Sequence, residues 1–381
     1  MFEYAKYHRF FAACTRGLEN LLVDELRELG ADPEEPGMRG VSFKADTGTL
    51  YRVAYATRLA SRVLAPLLTF DCHSDKYLYK TARNLDWDRL LDPDRTFVID
   101  ASVSDSRIDH SQYAAQRLKD AICDHFREKT GRRPSVEKRT PDLRLYLHIR
   151  HNRAVIGIDA GGGALHRRGY RTESVEAPLQ ETLAAAVVRL SGWDGERPLH
   201  DPMCGSGTLL TEAVLHVTRT PSGWLRAKGR PPWAALPDFD AAIWRAEKSA
   251  LDNAVVKLPP GLVSGADLDI NAVRVSRANL SRVPGGSEVG IERKDARELS
   301  LDTPATVLAN PPYGVRLGAR QEVEALYKAF GDALKRRCTG TTAFVLCGDV
   351  KLVGSLGLRP SKRTPLWNGG IECRLARLDM Y

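Results

Sequence analysis

The sequence predicts an α/β protein whose C-terminal half is a doubly wound, mostly parallel sheet and whose N-terminal half is two smaller α+β units. Three observations carry this expectation. From Leu199 onward, short apolar strands alternate with amphipathic helices, the rhythm of a parallel sheet with helical crossovers. Before that, strands and helices alternate at shorter spacing. Between the two regimes stands Gly161-Gly162-Gly163, a flexible point that suits a linker. The expected divisions are 1–70, 71–163 and 164–381, since 381 residues exceed one ordinary core.

In the first unit, His8–Cys14 reads as a strand and Gly17–Leu29 as a helix, with Leu18, Leu21, Leu22, Leu26 and Leu29 on one face and Gly30 as its stop. Val41–Ala45 is a short strand and Gly48–Thr57 a second helix. Arg62–Phe70 is a strand that Pro66, lacking an N–H, would confine to a sheet edge. In the second unit, Thr96–Val103 alternates as a strand. Ser111–Lys129 is an amphipathic helix with Ala114, Ala115, Leu118, Ile122 and Phe126 on one side. Leu143–Ile149 and Ala154–Asp159 are strands joined by the polar turn His151-Asn152-Arg153.

In the third unit, the strands Leu199–Met203, Leu262–Ala266 and Thr306–Ala309 precede helices over Thr208–Val217, Asn271–Arg282 and Glu322–Arg337. A further strand ends at Lys294-Asp295-Ala296, Thr342–Leu346 is another, and Ile371–Leu378 alternates as the last. Thr220–Phe239, rich in Pro, Gly and Trp, reads as an inserted loop. Its Trp224, Arg226, Lys228, Arg230 and Trp233 interleave aromatics with cations, as an RNA-binding lip or a loop pinned by its tryptophans would.

Composition excludes several classes. Apolar stretches such as Leu183–Val188 fall well short of the roughly 20 residues of a membrane span. Met1 to Arg16 carries scattered charges and no apolar signal core, so a cytoplasmic location is expected. The seven cysteines include no C-x-x-C pair, which argues against a zinc site, any other metal centre or a disulfide framework. The net charge of +8 is mild but concentrated. Between Gly131 and Arg171, ten Lys/Arg stand against three acids, the footprint of a polyanion partner or of a solvated basic face.

The chemistry-bearing motifs lie at strand ends. Asp201-Pro202-Met203-Cys204-Gly205-Ser206-Gly207-Thr208 stands where a strand hands over to a helix, so glycines let the backbone approach a ligand and the helix N-terminus offers free N–H groups. Leu210 occupies the place of the third glycine in a dinucleotide fingerprint, which counts against that site. Asp267, at the tip of the next strand, is placed to accept both ribose hydroxyls of an adenosyl ligand, with Asp269 as the cap of the following helix. Asp295 is placed to meet the exocyclic amine of the adenine. Asn310-Pro311-Pro312-Tyr313-Gly314 follows the apolar strand Val307-Leu308-Ala309. A base-conjugated amine is a poor nucleophile because its lone pair is delocalised into the ring. The Asn310 side-chain oxygen and the Pro311 carbonyl can accept its two hydrogens, push it toward sp³ character and hold it in line with a methyl donor. Tyr313 can stack on the extruded base.

With these motifs in this order, 177–381 resembles the class I S-adenosylmethionine-dependent amino-methyltransferases. The resemblance implies a Rossmann-like domain with a mostly parallel seven-stranded sheet. It assigns Thr182, Asp201, Pro202, Cys204, Gly205, Ser206, Gly207, Thr208, Asp267, Leu268, Asp295, Ala296 and Asn310 to S-adenosylmethionine, and Asn310, Pro311, Pro312 and Tyr313 to catalysis. Leu165-His166-Arg167-Arg168-Gly169-Tyr170-Arg171, then Ala177-Pro178-Leu179-Gln180-Glu181-Thr182-Leu183-Ala184-Ala185, and the ending Asn368-Gly369-Gly370-Ile371-Glu372-Cys373-Arg374-Leu375 are similar to THUMP-domain RNA methyltransferases, in particular the bacterial 23S rRNA guanine-N2 enzymes. That family carries a ferredoxin-like unit and a THUMP unit ahead of the catalytic domain. Its long bifunctional members continue into a second methyltransferase domain, and with the last residue here at Tyr381 a single activity is expected.

On this reading Lys138, Arg139, Arg144, Arg167, Arg168 and Arg171 contact RNA phosphates, and His166 touches RNA or packs on the domain. The alternatives are the same chemistry on tRNA, amino-methylation of DNA, an RNA-binding assembly factor with a vestigial pocket, and a nicotinamide oxidoreductase.

Overall fold

The computed structural model describes residues 1–173, 179–226, 229–313 and 320–381. The described residues form two sheets. The first contains β1 (Arg9–Ala13), β2 (Asp32–Pro33), β3 (Gly40–Lys44), β4 (Arg62–Asp71), β5 (Thr96–Ser104), β6 (Ser135–Val136), β7 (Leu143–Arg150) and β8 (Arg153–Asp159), in the order β2-β3-β1-β4-β8-β7-β5-β6. The second contains β9 (Leu199–Asp201), β10 (Val263–Asp267), β11 (Gly290–Arg293), β12 (Thr306–Ala309), β13 (Thr342–Cys347), β14 (Lys362–Asn368) and β15 (Ile371–Asp379), in the order β11-β10-β9-β12-β13-β15-β14.

The first sheet corrects one expectation. β4 is not an edge strand: it pairs with β1 on one side and β8 on the other, and so joins the two N-terminal units into one sheet. The proline is tolerated because β1 pairs only with Arg62, Val63 and Leu64, and the β8 ladder slips register between Pro66 and Leu68. A bulge absorbs the missing donor. Alternation along β7 explains why this sheet sits as it does. Leu143, Leu145, Leu147 and Ile149 are buried together with Leu118, Ile122 and Phe126 of the helix Ser111–Thr130, while Arg144, Tyr146, His148 and Arg150 face outward, half-buried.

In the second sheet β9 to β13 run parallel, β15 alone is reversed, and β14 beyond it again runs with the others. The sequence hid β14, because Lys362, Arg363 and Pro365 break its apolar pattern. An outermost strand accepts exactly such residues, so the breaks cost it little. Among the described residues, five helices also escaped the periodicity: Glu3–Tyr7, Asp75–Arg83, Glu181–Ser191, Ala241–Asn253 and Leu352–Ser355.

The inserted segment is mortar between the two halves. Trp233 is 1% exposed and meets Trp244 at 4.6 Å between ring centroids, within a cluster that includes Tyr51, Tyr55 and Phe239. Around that cluster, Arg52 makes two hydrogen bonds of 2.9 Å to Glu247, and the Tyr55 hydroxyl donates to Asp252 at 2.8 Å. Arg226 is buried and donates to the Gly161 carbonyl at 3.1 Å, and burial pushes its guanidinium down to about 10. The RNA-lip reading of Trp233 and Arg226 is therefore replaced by the pinned-loop reading, and Lys228 lies outside the described residues. Nor is the Gly161 region loose, since the Gly161 N–H donates to the Val63 carbonyl at 3.2 Å.

Candidate active site

Because β11, β10, β9 and β12 are parallel neighbours, their carboxyl ends open on one edge of the sheet. Asp201 ends β9, Asp267 ends β10, Asp295 follows β11 and Asn310 follows β12. Topology thus gathers four polar side chains from distant parts of the chain at the crevice where open α/β sheets bind ligands.

The glycine turn after β9 is built from both sides. Gly205 and Gly207 take φ of 54° and 75°, a region that disfavours side chains. A Cβ on Gly207 would lie 2.3 Å from the Ser276 Oγ, so the turn is pressed against the helix Ile270–Leu280. Asn279 donates to the Ser206 carbonyl at 3.0 Å, and Cys204 is buried with its N–H on the Ala266 carbonyl at 2.9 Å. Leu210, in place of a third glycine, finds its room in the sheet: a Cβ on Gly265 of β10 would stand 2.5 Å from it.

The acids differ in state. Asp267 accepts the Gly205 N–H at 2.8 Å and the Asp269 N–H at 3.0 Å, while Asp269 caps its helix by accepting the Asn271 N–H at 2.9 Å. Beside them Leu268 is 54% exposed, an apolar side chain left at a strand tip. Asp295 caps the turn Ala296–Glu298 and pairs with Arg297, which holds its carboxyl below the ordinary range. Asp201 is fully buried with the Met203 N–H at 3.1 Å, and burial, reinforced by the charge of Asp267, pushes its carboxyl up to about 8. Pro202, Ser206 and Thr208 are buried around it, and Thr182 is buried in the first turn of Glu181–Ser191.

The Asn310 Oδ1 is buried and has no hydrogen-bond partner among the described residues. An acceptor closed off from water and left unpaired costs free energy unless a ligand completes it. Pro311 is buried, Pro312 exposed and Tyr313 half-buried. The Tyr313 hydroxyl accepts from Asn368 at 2.8 Å, and burial pushes its phenol up to about 12, so it is neutral across the working range. Gly314 belongs to 314–319, outside the described residues, as does the Ala177-Pro178 pair of the junction motif.

The basic residues divide. Lys138, Arg139 and Arg167 are exposed. Arg168 is only 1% exposed; it donates to the carbonyls of Leu165 and Arg58 and lies 3.4 Å from Glu212. Arg171 donates to the Leu179 carbonyl at 2.6 Å and the Thr208 hydroxyl at 2.8 Å, and Arg144 pairs with Asp100 at 3.1 Å. The expectation of phosphate contacts is corrected for Arg168, whose guanidinium is spent inside the fold, and Arg171 and Arg144 are already held by the protein. His166 is half-buried, and burial lowers its imidazole, as a packing role requires. Gly265, Asn279, Glu212 and Gly348 carried no signal of their own in the sequence, because each acts through a partner distant in the chain, and Asn368 stood out only as part of the ending motif.

A crevice of this form, at the carboxyl edge of a seven-stranded sheet in which β15 alone is reversed, defines a Rossmann-like methyltransferase domain. The family described as RMKL-like, methyltransferase domain, matches residues 168–377, a THUMP domain matches 72–159, and the RlmL ferredoxin-like domain matches 9–64. The chain belongs to the RMKL-like methyltransferase family. It is 39% identical over 97% of its length to a ribosomal RNA large subunit methyltransferase K/L of Methylococcus capsulatus, of which it covers 51%. The chain thus spans about half the length of the K/L relatives it matches. It is 35% identical to a putative RNA methyltransferase of Synechocystis sp., over 98% of this chain and 97% of that one. A putative methyltransferase solved with SAH superposes with a TM-score of 0.86 at 25% identity, covering 98% of each chain.

The family's methyl donor is S-adenosylmethionine, and the residues present fit it. A buried carboxylate at Asp201 suits the methionine ammonium, Asp267 keeps acceptor capacity for ribose, and Leu268 offers apolar surface to a flat ring. Among the described residues there is no cluster of His, Cys, Asp and Glu that could hold a metal ion, and no helix long and apolar enough to cross a membrane.

Proposed function

We propose that this chain transfers the methyl group of S-adenosylmethionine to the exocyclic N2 of a guanine in 23S rRNA. The buried Asn310 Oδ1 at the end of β12 carries the reading, since it is an acceptor that finds no donor among the described residues. The bound cofactor supplies an electrophilic methyl on a sulfonium. Asn310 and the Pro311 carbonyl take the two amine hydrogens and aim the nitrogen lone pair at that carbon. As the N–C bond forms, the C–S bond breaks and its electrons stay on sulfur. The resulting amine cation is acidic enough to lose its proton to water, so no strong base is needed, and the neutral Tyr313 supplies a ring face instead of a proton acceptor.

RNA is supported by the THUMP match and by the exposed Lys138, Arg139 and Arg167; the large subunit is supported by the names of the K/L relatives, and guanine by the resemblance of the junction and ending motifs to the guanine-N2 enzymes. Three functional units, 1–70, 71–163 and 164–381, complete the reading, each enclosing one of the domain matches. Labelled S-adenosylmethionine with unmodified 23S rRNA fragments, tRNA and duplex DNA tests it. Label in the rRNA, mapped to guanine N2, is expected. Label in tRNA alone replaces the substrate, and label only in DNA, or in none of the three, overturns the proposal.

A further inference from the structure

The ending Asn368-Gly369-Gly370-Ile371 has so far no role. It is the turn of the β14–β15 hairpin, with Asn368 and Ile371 as the last paired residues and Gly369 at φ 61°. A tight turn that fixes the ladder also fixes the direction of the side chain that ends it. The Asn368 amide nitrogen lies 2.8 Å from the Tyr313 hydroxyl oxygen, across 55 positions of sequence. A second contact comes from the end of β13: a Cβ on Gly348 would overlap the Tyr313 ring at 1.9 Å. One face of that ring therefore lies flat on the Gly348 backbone while its hydroxyl is tethered to the hairpin, leaving the ring half-buried.

From these contacts we infer that Asn368 is a positioning residue for catalysis: with Gly348 as backing, it sets the plane of the Tyr313 ring on which the target base stacks. The inference rests on the proposed methyl transfer. A phenol free to rotate would still bind a base, but the amine would meet the Asn310–Pro311 acceptors out of line, and misplacement of about 1 Å costs on the order of 100-fold in rate. The hydroxyl of Tyr313 thus serves geometry alone, consistent with a phenol kept neutral by burial.

The test compares Asn368→Ala, Tyr313→Phe and the double variant of the full chain, reading kcat and KM on the rRNA fragment and SAH affinity by calorimetry. Asn368→Ala is expected to lower kcat by about 10- to 100-fold with SAH affinity changed less than about 2-fold. Tyr313→Phe should give a loss of the same size, and the double variant no more than either single, because both remove one hydrogen bond. Asn368→Asp, which can accept from the phenol, should recover much of the rate. Wild-type kcat in Asn368→Ala, or losses that multiply in the double variant, overturns the inference. A wild-type protein that binds SAH yet methylates no nucleic acid fails the functional reading instead. The tether is then decided by ¹⁹F NMR of fluorotyrosine-labelled protein, where an unmoved Tyr313 resonance in Asn368→Ala counts against it and a moved one supports it.

Discussion

Asp201 shows how a single residue couples burial to ligand. Its carboxyl is pushed up to about 8 by desolvation, so near neutrality the ligand-free fold holds a proton that the unfolded chain has released. The folded state binds more protons than the unfolded one between about pH 4 and 8, and stability contributed at this site falls as pH rises through that window. An incoming ammonium favours the carboxylate, so cofactor binding should expel the proton. Calorimetry at pH 7 in buffers of different ionisation enthalpy is expected to show proton release on SAH binding, abolished in Asp201→Asn. Asn310→Ala should reduce methyl transfer by at least about 100-fold while SAH affinity stays within a few-fold, because the acceptor acts on the amine. The Asn-Pro-Pro-Tyr loop and the strand-end acids were legible in the sequence because each follows a recognisable apolar strand. The arginines were not. Nothing local separates Arg167, exposed, from Arg168, whose partners Arg58 and Glu212 come from other parts of the chain. Arg168→Ala leaves the buried Glu212 carboxylate with the Tyr170 hydroxyl but without its bonded cation, and a loss of about 3–5 kcal/mol in denaturant unfolding is expected in place of a salt-dependent RNA defect.

At the scale of elements, strands with apolar runs and helices with a one-sided leucine pattern could be read to within a few residues, as the Glu19–Glu28 helix, expected over Gly17–Leu29, shows. Elements that answer to their surroundings could not. The helix Glu181–Ser191 is buried nearly all round, so it lacks the polar face that marks a helix. The helix Ala241–Asn253 buries chiefly Trp244, and its partners belong to the N-terminal helix Thr47–Ala56. Trp233→Ala, which empties the centre of that cluster, should destabilise the chain by about 3–5 kcal/mol. RNA affinity measured below the new midpoint should stay unchanged, which separates a pinned loop from an RNA lip.

For the whole molecule, the N-terminal and C-terminal halves are bonded through Arg52–Glu247, Tyr55–Asp252, Arg168–Arg58 and the shared aromatic cluster. Residues 164–381 expressed alone would expose Trp233 and Trp244 and leave Glu247 without Arg52, so aggregation of that fragment is expected in a solubility assay. Sequence rhythm separated three units but was blind to β4, because pairing on both sides of a strand leaves no mark that one side would not. That strand has a mechanical consequence. Seven residue pairs clamp β4 to β8, so the ferredoxin-like and THUMP portions cannot swing independently. A head that cannot swing acts as a ruler. If it grips the RNA as proposed, the span from its grip to Asn310 is set by that sheet together with the bonds joining the two halves, and the enzyme selects its target by distance along a folded RNA as much as by the bases around it.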